Sequence, residues 1–86
     1  MPKISEFFGI AIYMYFDNHP PPHFHAQYAE FEAHIRIEDG SVMRGKLPPR
    51  ALGLVVEWAA LHRKELERVW QQAQAMKPLS KIAPLE

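Results

Sequence analysis

Two periods divide the 86-residue chain. Up to about residue 47, apolar residues come in short runs or alternate with polar ones, as in strands. Beyond Pro48 and Pro49 they recur every three or four residues, as on an amphipathic helix. Residues 10–16, IAIYMYF, carry branched and aromatic side chains on both faces and predict a central or doubly covered strand. The segment DNHPPP at 17–22 predicts a stiff loop, because consecutive prolines lack amide donors and hold the residues before them extended.

The next segments predict two hairpins. Strands at 23–29 and 31–38, folded about Ala29 and Glu30, set Tyr28 opposite Phe31 and His25 opposite His34. Alternation then places Phe24, Ala26, Phe31, Ala33 and Ile35 on one face and His23, His25, Glu32, His34 and Arg36 on the other. Ala29 and Glu30 are poor residues for a tight type I′ turn, whereas Asp39 and Gly40 are a favoured pair and predict a second hairpin into a strand at 41–47. Gly45 reads as the mark of a bulge in that strand.

From Pro49 to about residue 75 the pattern predicts one helix, with proline in its first turn and none again before Pro78. Leu52, Val55, Ala59, His62, Leu66, Val69 and Ala73 form its apolar stripe. Gly53 within it implies a close approach by another backbone. Residues 77–86 are expected to form an extended arm that packs on the domain or on a partner. The expected architecture is therefore one α+β domain spanning 1–86: an antiparallel meander of about four strands packed on one long C-terminal helix.

Composition narrows the functional classes. Lysine plus arginine equals aspartate plus glutamate at ten each, so net charge gives no argument for a nucleic-acid partner, although a local basic patch remains open. Cysteine is absent, which removes disulfides, thiolate nucleophiles and cysteine-ligated zinc and fits a reducing cytoplasm. No run is long enough for a membrane span and no signal peptide is visible, so the expected location is cytoplasmic.

The candidate chemistry lies in HPPPHFHAQYAEFEAHIRIEDG, where four of five histidines fall within residues 19–34. In one reading no cofactor is needed: His23, His25 or His34 acts as general base on a ribose hydroxyl, and Arg36, Arg44 or Lys46 stabilises the developing charge on phosphorus. In a second, His23, His25 and His34 hold a divalent metal such as zinc, with an oxygen from Glu32 or Asp17. In a third, these are polar residues on a solvated sheet face, with His19 at an exposed loop tip. His62, on the apolar stripe, is expected to hydrogen-bond backbone or Tyr13 or Tyr15, and Trp58 and Trp70 are expected to be packing residues.

The segments PPHFHAQY at 21–28, GKLPPRAL at 45–52 and EWAALH at 57–62 carry a resemblance, extending over essentially the whole chain, to the bacterial domain-of-unknown-function family numbered forty-one sixty. The family commonly has glycine at the position of Ala29. Its members are often encoded beside another small family, numbered twenty-four forty-two, in pairs that look like toxin-antitoxin modules. The resemblance thus implies a component acting through contact with a cognate protein encoded next door; separately, the exposed edges of a small sheet are compatible with a homodimer without requiring one. The alternative it leaves is a ribonuclease-type toxin using the His23, His25 and His34 face.

Overall fold

A computed structural model describes residues 2–16 and 18–86. Strands β1 (Lys3–Phe7), β2 (Ile10–Tyr13), β3 (His23–Tyr28), β4 (Phe31–Arg36) and β5 (Val42–Gly45) lie side by side in chain order, each antiparallel to the one before. Helices α1 (Pro49–Leu61) and α2 (Arg63–Gln74) follow. The α+β meander is as expected, with two corrections: five strands rather than four, and two helices rather than one.

The additional strand is β1. Its core-facing residues break the period of two, because the register with β2 shifts between Lys3 and Ser5, so that Ile4, Ser5 and Phe7 are all buried. It is joined to β2 by Phe8 and Gly9, both at positive φ (50° and 78°), the backbone of a type I′ turn. β2 ends at Tyr13, short of the expected residue 16, since the pairings to Lys3 and to His25 both end there.

The helix breaks at His62, whose φ of −119° and ψ of 29° lie outside the helical range. A straight helix over 49–75 would run about 40 Å, longer than the molecule's greatest extent of 33 Å. The break lets α2 fold back onto the sheet and bury Leu66, Val69, Trp70 and Ala73. No proline or glycine marks it. The His62 ring bonds Glu65 in the first turn of α2 (2.5 Å) and lies against Trp58, not against Tyr13 or Tyr15 as expected.

Trp58, fully buried, centres the core between Phe7 and Phe24. Its indole Nε1 donates to the Ala83 carbonyl (2.9 Å), which fastens the C-terminal arm. The Ile82 amide also donates to the Ile4 carbonyl (2.8 Å) and Lys81 Nζ to the Lys3 carbonyl (2.9 Å), so the arm packs on its own domain and covers the β1 edge.

The β3–β4 hairpin has the expected register, from His23 opposite Arg36 to Tyr28 opposite Phe31, with Ala29 held at φ 52°. The second turn is longer than a two-residue hairpin: β4 ends at Arg36, whose carbonyl accepts from the Gly40 amide (2.9 Å), and Ile37 turns into the core. The β5 bulge falls at Met43, which has no β4 partner between Val42 and Arg44.

Gly53 does not mark a close approach. It is exposed in α1, and a Cβ there would meet nothing within 4 Å. Gly53→Ala is therefore expected to stabilise the protein by about 1 kcal/mol, raising the melting temperature by about 4–8 °C in a domain of this size. A thermal melt of the two proteins measures this directly. No helix among the described residues is long and apolar enough to cross a membrane.

Candidate functional site

The face opposite Phe24 and Ile35 carries the chemistry. Pairing sets Tyr13 opposite His25, His25 opposite His34, and His34 opposite Arg44, one transverse row from β2 to β5. His23 opposite Arg36 forms the adjacent row on one side, and Gln27 opposite Glu32 the row on the other. Directly opposed residues share a face at short Cβ separation, so the hairpin register brings three imidazoles together. One ligand atom from each of His23, His25 and His34 lies within 4.8 Å of the other two.

This face is less solvated than alternation implies: His23 and His25 are 7% and 8% exposed. Tyr15 meets the His25 ring edge to face (4.3 Å between centroids), and Asn18 Nδ2 lies 3.4 Å from His25 Nε2. Trp70 of α2 reaches the His23 ring (5.6 Å), and Gln74 Nε2 donates to the Asn18 carbonyl (3.1 Å). The loop after β2 and the end of α2 thus wall the histidines on one side, while His34 keeps more exposure than either.

The partners fix two tautomers. His23 Nδ1 lies 2.9 Å from the Pro21 carbonyl, which only accepts, so Nδ1 carries the proton and donates. His25 Nδ1 donates to Glu32 Oε2 (3.2 Å) by the same reasoning. In each ring Nε2 then carries the lone pair, as in metal-binding histidines oriented by a carbonyl or carboxylate, and in His25 that lone pair accepts from Asn18 Nδ2, which a metal would displace. Glu32 Oε2 also lies 3.9 Å from His34 Nε2.

Burial lowers the pKa of His25, against the opposing pull of its bond to Glu32, and the neighbouring imidazoles add to the lowering. Burial also lowers that of His34, with help from His23 and Arg44. Both rings are therefore neutral at pH 7. In metal-free protein the unfolded chain, with histidine near 6.5, takes up protons before the native state does. Stability is then lost as pH falls from about 6.5 through the lowered native values. Urea midpoints should drop as pH falls below about 6.5, and His34→Gln should flatten that drop.

Of the sequence candidates, His23, His25, His34, Arg36, Arg44 and Glu32 are gathered here. Arg36 Nη1 is 3.8 Å from Asp39 Oδ2, and Arg36 Nε is buried with no hydrogen-bond partner among the described residues. Lys46 is not in the group: its ammonium lies over Phe31, 6.0 Å from the ring centre, and Phe31 packs against the core. Asp17 lies outside the described residues. Asn18, Tyr15 and Trp70 were missed as site walls, and only Trp70 had a signal, an aromatic at the rim of the helical stripe. A separate cavity of about 320 Å³ beneath Phe8 and Tyr28 has Arg50 as its one charged lining residue and stands apart from the cluster.

A five-stranded meander backed by two helices, with three imidazoles drawn together on its opposite face, defines a small α+β protein with a histidine-lined sheet. The chain belongs to the family described as Domain of unknown function (DUF4160), whose model matches residues 9–71, a span that holds all three histidines. No curated protein and no solved structure matches the chain.

Proposed function

We propose that the protein is a divalent-metal protein of hydrolytic type, with zinc held by His23, His25 and His34. The observation that carries this is the convergence of three ligand atoms within 4.8 Å. Two nitrogens bound to one zinc lie about 3.4 Å apart in a tetrahedral site, so modest side-chain rotations close the set. The Pro21 carbonyl and Glu32 support it from behind by holding protons on the far nitrogens of His23 and His25. Three nitrogens leave one position for water or substrate, the arrangement of catalytic rather than structural zinc sites. Neutral imidazoles also leave the general-base reading of the same residues, with Arg36 beside them, open to the same test.

The test is equilibrium dialysis of tag-free protein against micromolar zinc, followed by elemental analysis. One equivalent bound by wild type and lost in the folded variant His23→Ala/His25→Ala supports the reading. Less than about a tenth of an equivalent overturns it and leaves the metal-free base.

A second reading, contact with a cognate protein in a toxin-antitoxin-like pair, is favoured by β5. This edge strand is exposed along its length, with Val42 and Met43 40% and 39% exposed, while the arm covers the β1 edge. Unpaired strand edges are ready templates for a partner's strand. Co-purification with the neighbouring gene's product, and its loss in Val42→Pro, tests this reading. Growth of cells expressing each protein alone then separates an inhibitory enzyme from a binding partner.

A further inference from the structure

We propose that the sheet face along the transverse row Tyr13–His25–His34–Arg44, with Arg36 beside it, binds single-stranded nucleic acid. This rests on the hydrolytic reading for the reaction but not for the binding. Its support lies in the guanidinium groups at one end of the row and the tyrosines at the other, which the metal site does not use.

Guanidinium groups flank the outermost histidine on two sides. Arg44 is the direct cross-strand partner of His34, and Arg36 stands two residues along the same strand and therefore on the same face. Among the described residues the acid paired with Arg36 is Asp39, which comes only to 3.8 Å of Nη1. The amino groups of Arg36, whose side chain is 40% exposed, and of the exposed Arg44 suit the oxygens that a phosphodiester supplies. The acid within the cluster, Glu32, is turned to His25 and His34.

At the other end of the row, Tyr13 is half-buried beside His25 and stacks on Tyr15 with ring centroids 6.3 Å apart. Strands are spaced about 4.8 Å, so the three steps from Tyr13 to Arg44 span about 14 Å with the imidazoles between. Sheet-borne aromatics that stack bases beside arginines that hold phosphates are how single strands are bound, and duplexes offer no free base face. Net charge of zero does not speak against this, because the cations are placed locally. In the hydrolysis that would follow, water oxygen bonds to phosphorus, the ester P–O bond breaks and the leaving alkoxide takes the proton. Water is the only co-reactant.

The experiment is fluorescence anisotropy with a labelled 12-nucleotide RNA of mixed sequence, its DNA counterpart and the RNA duplex, using full-length protein freed of metal with chelator. The strand is expected to bind at least tenfold more tightly than the duplex. Arg36→Gln, Arg44→Gln and Tyr13→Leu should each weaken binding at least fivefold, and Tyr13→Phe should not. Thermal melts confirm that each variant is folded. Binding of either strand supports the proposal, and the tighter one identifies the sugar. Absence of strand binding by folded wild type overturns it, as does binding that Tyr13→Leu leaves unchanged and inorganic polyphosphate displaces equally well. Because no metal is present, failure here leaves the zinc result standing, and failure of zinc to bind leaves this one.

Discussion

Gly45→Ala is expected to destabilise the protein by about 3 kcal/mol or more, a large share of the about 4–13 kcal/mol available to a domain of this length. Two causes combine. Gly45 sits at φ 77°, where an L-residue costs about 1–2 kcal/mol. A Cβ there would also lie 2.1 Å from the Glu32 carbonyl oxygen and 3.2 Å from Ala33 Cα. These are backbone atoms of β4, so no rotamer change relieves the contact. β5 must move away, weakening the bond from the Lys46 amide to the same carbonyl (3.0 Å). Gly40→Ala is the control: its φ is 72°, but the nearest atom is a Val56 methyl at 3.4 Å, so only the conformational cost applies. Equal losses in the two variants, measured by urea unfolding, would contradict the close-approach account.

The second large effect is on metal affinity. Removing the group that holds the far nitrogen of a metal-bound histidine typically costs about 10–100-fold in affinity, so at the proposed site Glu32→Ala should weaken zinc binding by that amount. Glu32→Gln should cost less, since its amide oxygen still accepts from His25 Nδ1. His25→Ala, which removes the ligand itself, should exceed both. Competition titrations with a chromophoric chelator rank the three, and an order in which Glu32→Ala is the most damaging would show that Glu32 rather than His25 is the ligand.

The centre of the molecule was legible because one face of the β3–β4 hairpin had to be apolar. Phe24, Ala26, Ala33 and Ile35 are all fully buried, and a one-residue slip would have exposed them. The same constraint placed His25 opposite His34 despite a poor turn at Ala29. β1 was illegible because its bulge spoils the alternation, and Phe8 contributes no turn signal. The break at His62 is set by the size of the sheet, which no local residue announces. The site was legible only as far as the strands extend. The covering of His23 and His25 depends on Trp70 and on a loop ordered by Gln74, contacts across 47 and 56 residues that periodicity does not report. Gly53 shows the opposite error, a helix glycine read as packing where there is none.

The proposed site requires that His23, His25 and His34 bind one metal ion together. X-ray absorption at the zinc edge of the loaded protein tests it most directly. Three imidazole nitrogens at about 2.0–2.1 Å and one further light ligand are expected. A six-coordinate shell of oxygen or nitrogen without imidazole scattering would contradict it.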